Sequence, residues 1–344
     1  MATLPHKGRQ LPKAGLNIKK PIVQQQRITN PCRPHTSGGA QVTIPHYNGD
    51  EDYTKIALIQ PASWGDNINS TLMFKPLKDH YGSMVLDVYT AESYASAFFN
   101  NPYINRLIEF PAPTKEKALD LLNVIPPLVQ GRGYDKIFCP HPMINGDKWT
   151  SIRHGELGTN LINAWVRALE ETDIAFALPL ETILVLTPNE VANVDNFCSR
   201  VNMNSRNILM EVEGLSGQTY WNHHWTERVG KYLLRGDTNL FLSRRASGSD
   251  VAALERHAPG RIHFVGGLSI RECAELFNRC DIFFSVSSGL SNACNTNWCK
   301  KDGKWIETVN SDAVSSAPIR REGKIFWTDN NLDHFMDMLA EHGI

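Results

Sequence analysis

A chain of 344 residues, 42% hydrophobic and 21% charged, is long enough for two domains with cores of their own, and its composition excludes a disordered or fibrous protein. Its formal charge is −1, so the chain as a whole gives no reason to expect a polyanionic partner. No stretch approaches the ~20 apolar residues that span a bilayer, and the first thirty residues lack the apolar core of a signal peptide, so the expected location is the cytoplasm.

Charge is distributed unevenly. Residues 1–49 hold Lys7, Arg9, Lys13, Lys19, Lys20, Arg27 and Arg33 with no Asp or Glu, giving this arm +7 and the remainder −8. The arm has little periodicity and reads as an extension that orders only against the body or a partner. From Lys55 the pattern alternates strand and helix. Strands are predicted at Lys55–Gln60, Met84–Tyr89, Arg106–Phe110 and Lys136–Cys139, and helices at Asn67–His80, Ala91–Phe99, Thr114–Leu122 and Leu157–Glu171. A strand at Thr182–Leu186 and a helix at Asn189–Arg200 lead across to a second half. That half repeats the alternation: Asn207–Val212, Trp221–Leu234, Thr238–Ser243, Asp250–His257, Arg261–Val265, Ser269–Arg279 and Asp281–Val286. This pattern argues an α/β fold with one parallel sheet per half, divided as arm 1–49, first Rossmann-like domain 50–178 and second 179–344.

Seven cysteines, an odd number without framework spacing, favour reduced thiols. Cys32-Arg-Pro-His35 and Cys139-Pro-His141 are halves of a zinc site only in principle, since neither has a second half at finger-like spacing.

Two glycine-centred turns each follow a buried strand and open a helix: Pro61-Ala-Ser63-Trp64-Gly65-Asp66-Asn67 and Ser287-Ser288-Gly289-Leu290-Ser291-Asn292. Open α/β sheets place their chemistry at such carboxyl ends of strands, and the two turns are expected to be opposing lips of one cleft.

At these residues the chain resembles the family-9 glycosyltransferases, whose best-known members are the ADP-heptose:lipopolysaccharide heptosyltransferases. The matching pieces are Ser63-Trp-Gly-Asp66, Phe74-Lys-Pro-Leu77 and Asn101-Pro-Tyr103, then Gly267-Leu-Ser269 through Glu275 and Ser287–Ser291, in patches over residues 53 to 295. The resemblance implies a GT-B fold, two Rossmann-like domains facing across a cleft, and an inverting, metal-independent glycosyltransferase. Its co-substrate would be a nucleotide-diphosphate sugar, with no cofactor.

The residues themselves sharpen and limit that expectation. A carboxylate at a strand-to-helix turn can take the proton of an attacking hydroxyl. The family's catalytic base occupies the Gly-Asp position, here Asp66; the same residue type also caps helices. Ser63, Trp64, Gly65 and Asn67 surround it on the acceptor side. The turn Glu213-Gly-Leu-Ser216-Gly217-Gln218-Thr219 reads as a helix start whose backbone N–H groups suit a diphosphate, or as an ordinary tight loop. Heptosyltransferases place a lysine near this point; here stand Tyr220 and His223, with Arg244 or Arg245 after Ser243 as substitutes for the charge. Ser269 and Glu272 have capping-box spacing, and by the resemblance Val265 to Leu268, including Gly267 and Leu268, lie against the donor base. The family's Asp and His at the positions of Ser287 and Asn292 are absent, which puts heptose in doubt, although Ser288, Gly289 and Ser291 at a helix start can still hold phosphate oxygens.

For the acceptor, the basic arm and the missing heptose-type residues favour 5-hydroxymethylcytosine in DNA, as virus-encoded transferases modify it in the host cytoplasm. The alternatives are lipopolysaccharide core or another surface glycan, and, outside the transferases, a nucleotide-sugar epimerase or a non-catalytic nucleotide-sugar binding protein.

Overall fold

The architecture comes from a computed structural model. It describes residues 26–28, 42–48, 52–140, 165, 168–169, 172–176, 180–212, 214, 219–243, 248–299, 304–309 and 324–344, with the side chains of 26–28, 248–250, 324 and 326 not described.

The first half is a five-stranded parallel sheet. Its strands are β1 (Gln26–Ile28), β2 (Thr54–Ile59), β3 (Met84–Ala91), β4 (Arg106–Phe110) and β5 (Lys136–Phe138), in the order β1-β4-β3-β2-β5. Ile56, Leu58, Leu86 and Val88 pack on one face and Ala57, Ile59 and Tyr89 on the other, so the central strands read as near-continuous apolar runs. Helices α1 (Trp64–Ser70), α2 (Phe74–Tyr81) and α3 (Lys115–Val129) cover these faces. The predicted helix over 67–80 is in fact α1 and α2 joined by a 3₁₀ turn at Thr71–Met73, and the predicted 91–99 helix is a 3₁₀ segment, Glu92–Phe98.

The second half follows α4 (Pro188–Cys198) with β6 (Arg206–Met210), α5 (His223–Leu233), β7 (Thr238–Leu242), α6 (Gly248–His257), β8 (Ile262–Phe264), α7 (Ile270–Phe277), β9 (Ile282–Val286), α8 (Gly289–Cys294), β10 (Lys304–Thr308), β11 (Lys324–Trp327) and α9 (Leu332–Glu341). Its sheet order is β11-β10-β9-β6-β7-β8, all parallel. Counted from β6, this is the 3-2-1-4-5-6 order of a dinucleotide-type Rossmann sheet, with its reversal point between β6 and β9. In the first sheet the reversal lies between β2 and β5. The turn holding Asp66 and the turn holding Ser288 therefore follow strands at the two reversal points.

Several sequence expectations change. Thr182–Leu186 forms no strand and belongs to neither sheet; side chains satisfy part of its backbone: Ile183 N donates to Thr71 Oγ1 (2.7 Å) and Leu184 N to Asn297 Oδ1 (2.9 Å). Helix α3 runs through Pro126 and Pro127 to Val129 instead of stopping at Leu122. Strands β10 and β11 and helix α9 complete the second sheet in a region whose pattern did not announce them. Of the helix predicted at 157–171, Trp165, Ala168 and Leu169 are helical and the remainder lies outside the described residues.

One apolar core crosses between the halves. Trp64, Ile68 and Ala97 of the first are buried in the same cluster as Phe277, Leu290 and Ala293 of the second. Cys139, Cys198, Cys273, Cys280, Cys294 and Cys299 are free thiols, while Cys32, His35 and His141 lie outside the described residues. Among the described residues, no helix is long and apolar enough to cross a membrane and no group of three His, Cys, Asp or Glu could hold a metal ion.

Candidate active site

The Asp66 turn is built by its own first residues. Ser63 precedes α1 as its N-cap and donates to Asp66 Oδ2 through both its backbone N (3.1 Å) and its hydroxyl (3.0 Å). Asp66 thus does cap the turn, and the same bonds fix its half-buried carboxylate at the reversal point of the first sheet. Trp64 lies against the 3₁₀ segment, its Nε1 donating to Ser96 Oγ at 2.9 Å.

Asn67, expected on the acceptor side, is fully buried. Its amide oxygen accepts from Thr90 Oγ1 (2.7 Å), and its nitrogen reaches the Gln60 and Ser63 carbonyls at 2.9 and 3.1 Å. Those bonds tie β2, β3 and α1 together.

The two turns meet at the junction of the halves. A Cβ on Gly65 would fall 2.5 Å from Asn292 Nδ2, and one on Gly289 would fall 3.7 Å from Trp64 Cβ and 3.8 Å from Gly65 N. Glycine at position 65 is what lets the start of α1 rest on the start of α8.

At the second turn, Ser288 is the N-cap of α8. Its Oγ accepts from Leu290 N and Ser291 N, both at 3.1 Å, and donates to the carboxylate of Glu211, while Ser291 Oγ accepts from Ser288 N (3.1 Å). The Ser288 hydroxyl thus bonds the amides that the sequence pattern suggested for phosphate oxygens. A buried carboxylate paired with a hydroxyl is instead suited to accepting hydrogen bonds from hydroxyl groups. Ser287, Leu290, Ser291 and Asn292 are buried, and Asn292 Nδ2 donates to Ser288 O (3.0 Å). Glu211 is the site residue that sequence reasoning missed. The available signal was a carboxylate one position beyond the buried run Ile208–Met210, at the carboxyl end of the strand beside the reversal point.

Of the loop after β6, Ser216, Gly217 and Gln218 lie outside the described residues, as do Arg244 and Arg245. Thr219 is not at a helix start: α5 begins at His223, capped by Asn222, whose Oδ1 accepts from Trp225 N (3.2 Å), while Thr219 Oγ1 accepts from Trp221 N (3.2 Å). Gly214 is where this loop touches the second turn, since a Cβ there would lie 2.9 Å from Ser287 O. Ser243 is buried and bonds β6 through Met210 O (3.0 Å) and Val212 N (3.4 Å). Gly267 is exposed and Leu268 half-buried, in the loop before α7, whose Ser269–Glu272 capping box is present.

No protein-family model matches this chain, and no curated protein matches its sequence. Solved structures do match its shape. A glycosyl transferase family 9 protein from Veillonella parvula DSM 2008 superposes with a TM-score of 0.63 at 13% identity, covering 85% of this chain and 90% of that one. E. coli ADP-heptose lps heptosyltransferase II gives 0.58 at 13% identity, covering 85% and 100%. E. coli heptosyltransferase WaaC with ADP-2-deoxy-2-fluoro heptose gives 0.51 at 11% identity, covering 84% and 100%. Two parallel Rossmann-type sheets shared with these structures define the fold as GT-B.

Proposed function

We propose that this protein is an inverting glycosyltransferase that needs no metal ion and moves a sugar from a nucleotide-diphosphate sugar to the hydroxyl of a surface glycan such as lipopolysaccharide core. The observation that carries the reading is the meeting of the Asp66 turn, at the reversal point of one sheet, with the Ser288 turn at the reversal point of the other. In this reading Asp66 takes the acceptor proton as the acceptor oxygen bonds to the anomeric carbon. The bond from that carbon to the diphosphate oxygen breaks on the opposite face, and the nucleoside diphosphate leaves. The second half holds the donor with the loops after β6, β7 and β8, from Ser216 to Thr219, at Ser243 and Arg244, and at Gly267 and Leu268. The Glu211–Ser288 pair meets donor hydroxyls.

The acceptor is chosen on two grounds. The described parts of the arm on which a DNA acceptor rested are built into the body: Gln26–Ile28 pair with β4, and within 42–48 Tyr47 OH donates to Asp87 Oδ2 (2.7 Å). Nothing else in the described residues supports DNA, and the solved structures of like shape include lipopolysaccharide heptosyltransferases. The experiment is mass spectrometry of products formed from a panel of nucleotide sugars with a core-glycan extract and with hydroxymethylcytosine DNA. Transfer to glycan is expected, with Asp66→Asn lowering turnover by ~10² to 10⁴ at little change in donor affinity. Transfer to DNA alone, an epimerised sugar formed without acceptor, or near-normal turnover in Asp66→Asn overturns the corresponding part.

A further inference from the structure

Arg271, in the first turn of α7, is an arginine whose five N–H donors all find acceptors, and those acceptors come from three separate parts of the chain. Nε donates to Glu190 Oε1 (2.5 Å) and Nη2 to Glu190 Oε2 (3.0 Å), a two-pronged pair with α4. Nη2 also donates to Val185 O (2.5 Å), in the segment that joins the halves. Nη1 donates to Ser96 O (3.0 Å) and Phe99 O (3.4 Å), in and just after the 3₁₀ segment of the first half. The residue is 2% exposed. Glu190 is fixed in turn by its capping box, with Thr187 N donating to Oε2 at 2.7 Å. Burial acts to raise the Glu190 pKa, but the bonds from Arg271 and Thr187 outweigh it and hold the carboxyl below its ordinary value.

The contact continues toward the proposed site. Ser96, whose carbonyl Arg271 holds, accepts from Trp64 Nε1 through its hydroxyl (2.9 Å), and Trp64 lies two residues before Asp66 in the first turn of α1. A charged group that a helix of the second half plants in the first half thus reaches the Asp66 turn through one intervening residue.

We infer that Arg271 is a positioning residue: through Ser96 and Trp64 it sets where the Asp66 carboxylate stands relative to the donor half. This rests on the glycosyl-transfer reading only for its kinetic consequence, since the physical linkage stands apart from any reaction. The planar fork matters. A lysine keeps the charge but offers three donors from one point, so it cannot serve Glu190, Val185 and the 3₁₀ segment together. Transfer chemistry is sensitive to such placement, a shift of about 1 Å costing as much as ~10² in rate.

The test uses Arg271→Lys and, should that variant fold poorly, Ser96→Ala, which removes only the hydroxyl that Trp64 bonds. The readout independent of activity is the indole N–H resonance of Trp64, assigned by its loss in Trp64→Phe. It is expected to move in both variants while most of the other seven indole signals stay in place. An unmoved Trp64 resonance in a folded Arg271→Lys or Ser96→Ala protein overturns the inference. The kinetic readout is turnover with donor affinity measured separately: a fall of about tenfold or more is expected in either variant, with donor affinity within about twofold. In an Asp66→Asn background the same substitution is expected to cost less than about twofold, because the positioned group is gone. A full, additive loss in that background shows that Arg271 does not act through Asp66 and overturns the positioning role. If the wild-type protein transfers no sugar, the glycosyl-transfer reading fails and the Trp64 resonance alone decides the linkage.

Discussion

A methyl group at Gly65 tests the contact on which the site depends. Gly65 has no unusual backbone requirement, so alanine is acceptable to α1 itself and would by propensity gain up to ~1 kcal/mol. The obstacle is across the junction. The new carbon would sit 2.5 Å from Asn292 Nδ2, 3.5 Å from its Cγ and 3.6 Å from Gly289 Cα. Comfortable contact is about 3.5 to 4 Å, so the Asn292 amide has to withdraw by roughly 1 Å. That amide is buried and bonded to Ser288 O at 3.0 Å. Losing the bond costs about 0.5 to 1.5 kcal/mol, and overpacking costs about 1 to 3 kcal/mol. Set against the propensity gain, Gly65→Ala is expected to destabilise by about 1 to 3 kcal/mol, read as a lowered urea midpoint at unchanged slope. In an Asn292→Ala background the obstruction is absent, and the same substitution is expected to be neutral or stabilising. Equal effects in the two backgrounds, within about 0.5 kcal/mol, would refute the argument.

Two further outcomes are expected. Chelation of divalent metal is expected to leave glycosyl transfer intact, and loss of activity in EDTA that magnesium or manganese restores would contradict the metal-free reading. Asp87 accepts from Tyr47 OH and Tyr134 OH, both at 2.7 Å, and burial raises its pKa above the ordinary carboxylate value despite those bonds and the nearby Arg106 guanidinium. A raised folded pKa means that the folded state holds its proton longer than the unfolded chain, so this group's contribution to stability falls as pH rises from the ordinary value through the folded one. Urea midpoints of wild type minus Asp87→Asn are therefore expected to decline as pH rises above the ordinary carboxylate value, and a flat difference would refute the assignment.

The Asp66 turn was legible because a buried strand, a small-residue turn and a helix follow one another within a dozen residues, and the parallel pairing of the strands follows from their alternation with helices. Thr182–Leu186 misled because its β-branched, apolar composition is that of a strand; part of its backbone is satisfied by side-chain acceptors, Thr71 and Asn297, that no local pattern reveals. Helix α3, predicted to stop at Leu122, runs on through Pro126 and Pro127 to Val129. Asn67 read as a site residue from its neighbours, yet Thr90, Gln60 and Ser63 claim its amide. Nothing local marks Arg271, since Ser96 and Phe99, two of its acceptors, lie more than 170 positions away. Glu211 was hidden for a related reason, its hydroxyl partner being Ser288 on another strand's turn.

The apolar cluster that joins Trp64, Ile68 and Ala97 to Phe277, Leu290 and Ala293 makes the two halves poor modules. Each half alone would show water the counterface that its sister normally covers, so severing the chain at 180–186 would yield two sticky fragments instead of two small proteins. Heating would melt them together, because the greasy seam is common property and cannot be lost from one side only. Inheritance is constrained in the same way. A recombinant that trades one half for a relative's must carry a matching seam, and so must keep the side chains that hold the Asp66 turn in place.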